Sequence, residues 1–191
     1  NEIRRLSPAA AREALGLDPA RNVLAIFAGS QGSRPLNQWV KDRAAAFAAE
    51  GIQIYCVTGP NNGAAETLDL PAADGGRVQA FFVPFSDRVA ELLSAADLVV
   101  ARAGAGTISE LIRCETPAIL VPFPQSADDH QRANAAFFER QGGGIVVEQA
   151  QLNELQAEVL DTIFNDWLLR RFRSNLQRMD RANPLQQMLA D

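Results

Sequence analysis

The sequence has little that could carry redox or metal chemistry. Its 191 residues include two cysteines, one histidine and one tyrosine. Cys56 and Cys114 lie far apart and make no C-x-x-C pair, so neither a zinc motif nor a dithiol motif is present. Buried free thiols in a reducing compartment are the expectation, rather than a disulfide. His130 stands alone, and Asp128-Asp129 reads as helix capping rather than a cation loop, so no metal and no cofactor are expected. No apolar run approaches the ~20 residues that cross a bilayer. The opening residues lack a signal-peptide pattern, and the expectation is a cytoplasmic chain. The G-x-S-x-G elbow and the Walker A loop are both missing, which argues against Ser-His-Asp hydrolysis and P-loop chemistry. Positive charge is also scarce: the net charge of −5 argues against a nucleic-acid partner. There is no repeat at a fixed period and no low-complexity segment.

What the chain does have is alternation. Short apolar runs occur at 23–28, 53–57, 78–82, 98–101, 118–121 and 144–147, each bounded by Gly, Pro or Asp. Continuous short runs of this kind predict strands buried on both faces. Helical patterns lie between them, at 36–50, 87–96, 107–114 and 129–141. The order strand, helix, strand predicts a doubly wound α/β fold with a mostly parallel six-stranded sheet. Residues 1–17 read as a lead-in with a short helix at Pro8 to Leu15. Residues 18–164 form the expected ligand-binding domain. A helical tail follows, broken near Asn165-Asp166 and at Pro184, with 165–191 as a separate C-terminal segment. The Gly-, Asn- and Pro-rich stretch from Pro60 to Gly76 reads as a linker. Arg170, Arg171, Arg173, Arg178 and Arg181 on the tail read as a solvated face, with an anionic membrane or a partner domain as the other option.

In an open α/β sheet, ligands gather beyond the carboxyl ends of the strands, so the residues after each run carry the functional signal. Gly29-Ser-Gln-Gly-Ser33 follows the first. Its glycines permit a sharp turn close to a ligand, and the next helix start favours a phosphate; an empty tight turn would use the same residues. Pro84-Phe-Ser-Asp87 follows the third. Phe85 could lie against a flat base and the Ser86 backbone could pair with its edge, or the segment could simply staple and cap the next helix. Arg102-Ala-Gly-Ala-Gly-Thr-Ile-Ser-Glu110 follows the fourth. Thr107 and Glu110 have capping-box spacing. The alternative puts a diphosphate on the helix N-terminus and Glu110 on a ribose diol. After the fifth run, Ser126 and Asp129 could cap a helix whose His130, Gln131 and Asn134 suit sugar hydroxyls, or form only a solvated helix start.

Together these loops resemble the donor-binding half of MurG-type glycosyltransferases, which have the GT-B fold. The resemblance rests on Gly29 to Ser33 with Leu36-Asn37 and on Ala96 to Val100. It continues through Arg102 to Glu110, Thr116 to Pro122, and Asp129-His-Gln131 with Asn134. The opening Asn1-Glu-Ile-Arg4 is similar to the family's linker, usually Asn-Pro-Val-Arg. The resemblance implies an inverting, metal-independent transferase. It would move N-acetylglucosamine from UDP-N-acetylglucosamine to a lipid-linked muramoyl-pentapeptide at the cytoplasmic membrane face. It also implies site roles. Ser30 and Gln31 would face the diphosphate and sugar, Phe85 and Ser86 the uracil, and Ala105, Gly106 and Thr107 the phosphates. Glu110 would hold the ribose, His130, Gln131 and Asn134 the sugar, and Arg4 would approach from the linker. The family's N-terminal half, with its Gly-rich, His-containing acceptor loop and the implied catalytic base, has no counterpart here. The implied catalytic residues therefore lie outside this sequence, in an acceptor domain of the same chain or in a separate subunit. Other readings are a glycolipid-type UDP-sugar transferase, a split transferase subunit, and a non-catalytic nucleotide-sugar-binding protein.

Overall fold

The structure is a computed structural model that describes residues 3–182. One sheet of seven strands runs through the molecule in the order β3-β4-β2-β1-β5-β6-β7. The strands are β1 Val23–Phe27, β2 Gln53–Val57, β3 Glu66–Pro71, β4 Arg77–Val83, β5 Leu98–Ala101, β6 Ala118–Leu120 and β7 Gly144–Val146. All neighbouring pairs are parallel except β3 with β4. The central strands are buried on both faces: every residue of β5 and β6 is buried. That explains their continuous apolar sequences.

The helices cover both faces. They are α1 Pro8–Leu15, α2 Arg34–Ala49, α3 Val89–Ala95, α4 Ala105–Cys114, α5 His130–Arg140, α6 Leu152–Ile163 and α7 Asp166–Arg181. One core, with Phe47, Leu36 and Leu155, packs α2 and α6 on one face of the sheet. The other, with Leu111, Phe138 and Leu176, packs α4, α5 and α7 on the opposite face. Helix α1 is tied to the sheet by charge: Arg12 Nη2 meets Asp97 Oδ2 at 2.7 Å, and the same oxygen accepts from Val23 N at 2.8 Å. Both cysteines are buried and unpaired, as the sequence suggests, and burial pushes the Cys56 thiol up to about 12.

Four expectations change. The predicted linker at 60–76 contains β3, so the sheet has seven strands rather than six. This edge strand alternates weakly, ends in Pro71 and pairs only with β4, and proline is tolerated at such edges. Helix α2 starts two residues earlier than the pattern suggests. Ser33 is its N-cap, with Oγ accepting from Leu36 N at 3.4 Å, and Pro35 sits in the first turn. Helix α4 also starts two residues early, at Ala105 after an N-cap at Gly104 with no side-chain cap. Thr107 is therefore inside the helix, and its predicted capping box with Glu110 does not form. Finally, Asp129 adopts a left-handed backbone (φ 56°) without a side-chain cap, whereas Ser126 Oγ accepts from Gln131 N at 3.4 Å. The tail helices break at Asn165 as expected, with its Oδ1 capping Leu168 N at 3.0 Å. The predicted break at Pro184, like the opening Asn1-Glu2, lies outside the described residues.

Candidate functional site

Chain order reverses at the centre of the sheet: β1 is flanked by β2 on one side and β5 on the other. Loops leaving these two strands diverge to opposite faces and open a crevice at their carboxyl ends. A cavity of about 500 Å³ occupies it. Every post-strand segment singled out in the sequence reaches its wall: Gly29 and Ser30 after β1, Phe85 and Ser86 after β4, Gly104, Gly106, Thr107 and Glu110 after β5, and Gln131 on α5. The sequence did not predict a contribution from the loop after β2, where Gly59 and Pro60 complete the wall. A second cavity of about 540 Å³ shares Gly29, Ser30, Arg102 and Gln131 with the first and extends past Gln31, Phe123, Gln125 and Gln149.

Gly32 and Gly59 make this geometry possible. Both have positive φ (80° and 96°), and a Cβ on either would strike the other loop: Gly32 would hit the Thr58 carbonyl, and Gly59 the Gly32 backbone. Asn37 holds the same junction from α2, its Nδ2 donating to Thr58 O at 2.8 Å. Gly106 is different. Its backbone is ordinary helix, and a Cβ there would meet nothing within 4 Å beyond the adjoining backbone of its own helix. Neither packing nor conformation requires glycine at this position, which faces the cavity.

Glu110 lines the first cavity as a half-buried carboxylate. Desolvation raises its pKa above the ordinary 4.5, because the charged form has lost water without gaining a charged partner. Phe85 is 72% exposed, an apolar ring standing at the cavity mouth. The Ser86 hydroxyl accepts from Arg88 N at 3.1 Å, and Ser86 lines the cavity beside Phe85.

Gln131 and Asn134 turn out to brace the site. Gln131 Oε1 accepts from Phe123 N at 2.9 Å and from Ala103 N at 3.2 Å, and Asn134 Nδ2 donates to Ala103 O at 3.1 Å. Helix α5 thus grips the peptides on both sides of Ala103, immediately before the α4 N-terminus. Arg4, Ala105, His130 and Asn134 do not belong to either cavity wall. His130 and Arg4 are exposed. Arg102 and Gln149 belong to the site without having been assigned a role from the sequence. Arg102 could have been noticed as the lone cation in a glycine motif, whereas Gln149, on a short turn after β7, gives no sequence signal.

Taken together, the arrangement offers an exposed aromatic plate, a half-buried carboxylate, an uncapped helix N-terminus and a set of amide side chains. Uncapped N–H groups at α4 attract an anion. The carboxylate accepts from hydroxyls, and amides donate to or accept from polyols.

A model of the glycosyltransferase family 28 C-terminal domain matches residues 23–185. The chain is 61% identical to a UDP-N-acetylglucosamine--N-acetylmuramyl-(pentapeptide) pyrophosphoryl-undecaprenol N-acetylglucosamine transferase of Opitutus terrae. The match covers 100% of this chain and 50% of that protein. A transferase of the same name from Parasynechococcus marenigrum is 43% identical over 72% of this chain and 36% of its own length. The chain thus spans about half the length, or less, of these relatives. Among solved structures, Acinetobacter baumannii MurG superposes with a TM-score of 0.68 at 24% identity, over 92% of this chain and 50% of that one. ALG13 superposes at 0.52 and 17% identity, over 74% of this chain and 86% of that one. At these identities the superpositions speak to the fold.

Proposed function

The chain belongs to the family of glycosyltransferase family 28 C-terminal domains, and on that premise we propose that it binds UDP-N-acetylglucosamine as the donor half of an inverting N-acetylglucosaminyltransferase of peptidoglycan synthesis. The observation that carries this reading is the convergence of the loops after β1, β4 and β5 on one cavity at the point of strand reversal. Each supplies a contact that one part of the ligand needs. Phe85 gives uracil an apolar plate, and the Ser86 backbone pairs with its edge. Glu110 accepts from the ribose diol. The N–H groups of Ala105, Gly106 and Thr107 take the diphosphate at the α4 N-terminus. The second cavity, with Ser30, Gln31 and Gln131, takes the sugar, and His130 and Asn134 support it from α5. Arg4 approaches from the lead-in.

In the transfer, an acceptor hydroxyl would attack the anomeric carbon on the face opposite the diphosphate. A base outside this chain takes its proton, and UDP departs with its charge held by the helix N-terminus. The acceptor, a lipid-linked muramoyl-pentapeptide, is met through an acceptor domain at the cytoplasmic membrane face. Among the described residues no helix is long and apolar enough to cross a membrane.

Calorimetry with UDP-N-acetylglucosamine, UDP-glucose, UDP and NAD tests the reading. The UDP compounds should bind, with the N-acetylglucosamine form tightest, and NAD should not. Binding of NAD without any UDP compound would overturn it. Incubated alone with both substrates, the chain should transfer no sugar, and measurable product would place the catalytic base inside it.

A further inference from the structure

Arg102 opens the glycine motif after β5, yet the donor contacts above leave it without a task. It is only 6% exposed and borders both cavities. Its Nη2 donates to Ser33 Oγ at 2.7 Å and to Gln149 Oε1 at 2.6 Å. Its Nη1 donates to the carbonyls of Val121 at 3.2 Å and Pro122 at 3.5 Å. The Phe123 ring faces the guanidinium at 5.5 Å. Every one of these acceptors is neutral, and no carboxylate pairs with Arg102 among the described residues. Nε–H makes no hydrogen bond to them either.

A buried cation that meets only dipoles carries a desolvation cost that its surroundings do not fully offset. Burial accordingly lowers its pKa. Holding loops together does not by itself require a charge, since the neutral Gln131 braces Phe123 and Ala103 in the same site. The charge is compensated once an anion enters either cavity. We propose that Arg102 is a positioning residue for the ligand's diphosphate: its unneutralised charge draws the diphosphate to the α4 N-terminus, while its four anchored N–H groups fix the spacing between the Ser33 loop, the end of β6 and Gln149. This rests on the donor-site reading above.

The test compares wild type, Arg102→Met and Arg102→Lys by titration with uridine, UDP and inorganic pyrophosphate. Arg102→Met should weaken UDP by about tenfold or more and leave uridine within about twofold, while Arg102→Lys keeps UDP within about fivefold, as expected for a charge-assisted contact. Equal losses for uridine and UDP in Arg102→Met would reduce Arg102 to a loop brace and overturn the inference. So would undiminished UDP binding. If circular dichroism shows Arg102→Met unfolded, Arg102→Lys decides alone: a UDP-to-uridine affinity ratio near wild type supports the inference, and a collapsed ratio overturns it. Wild type that binds pyrophosphate in an Arg102-dependent way but no UDP compound would sink the donor reading and leave the charge inference standing. Wild type that binds neither sinks both.

Discussion

Gly106 is a helical glycine with nothing beyond its own helix near its missing side chain. Glycine inside a helix costs roughly 0.5–1 kcal/mol relative to alanine, so Gly106→Ala should raise thermal stability by that order. The same methyl group would occupy the space proposed for the diphosphate, so UDP affinity should fall in calorimetry as stability rises. Both quantities moving together would contradict this. Glu110 gives a second separation of roles. The capping box is absent, so Glu110→Ala should leave the start of α4 intact while weakening UDP by ~1–3 kcal/mol, the order for leaving polar groups unpaired. The pH dependence follows from the raised carboxyl pKa. Below the ordinary 4.5 the group is protonated in both folded and unfolded chains, and the folded state gains nothing from it. As pH rises through the elevated folded value, the ionised group is buried at a cost to stability. With ribose hydroxyls donating to the ionised form, as proposed, UDP affinity should drop as pH falls through that elevated value. Binding there should release a proton, visible as buffer-dependent heats that vanish in Glu110→Gln. At this scale the sequence was only partly legible. It read Gln131 and Asn134 as residues suited to sugar hydroxyls, but the hydrogen bonds that commit them to Ala103 depend on α5 lying against the loop after β5, which no local pattern encodes.

At the scale of elements, the buried strands were readable because burial on both faces leaves continuous apolar runs, and the glycine turns were readable as turns. The element that escaped was β3. Its residues alternate between exposed and half-buried, Glu66 and Asp69 pair outward with Lys41 and Arg77, and it borders a stretch of turn residues. An edge strand with one neighbour leaves a faint apolar signature. The early starts of α2 and α4 escaped for another reason. Their first residues, Arg34-Pro35 and Ala105-Gly106, sit above the cavity and carry no apolar period. What the sequence could not show at all is that the loops after β1 and β2 touch. Gly32→Ala imposes a disfavoured positive φ and a clash with the Thr58 carbonyl, so the urea midpoint should fall by an amount equivalent to roughly 1–3 kcal/mol. UDP binding should weaken with it, because Gly29 and Gly59 would both shift. An unchanged midpoint would mean that the two loops are not nested in solution.

For the molecule as a whole, a ligand that binds only the folded state stabilises it by mass action. At a hundred times its dissociation constant UDP-N-acetylglucosamine should add roughly 2.7 kcal/mol, a rise in melting temperature of roughly 5–10 °C for a domain of this size. NAD at the same concentration should add nothing, and scanning calorimetry separates the two. The place of β1 in the sheet has a further consequence, for synthesis. The strands on one side of it, β2, β3 and β4, are complete once Val83 has been made, and those on the other side, β5, β6 and β7, follow in the order in which they join the sheet. A chain leaving the ribosome can therefore settle half the sheet first, with one side of β1 open until Leu98–Ala101 arrives. It then extends strand by strand without rearrangement. The proposed donor site closes only when Gln131 and then Gln149 have emerged, so nucleotide-sugar can protect the finished domain but cannot help the nascent one.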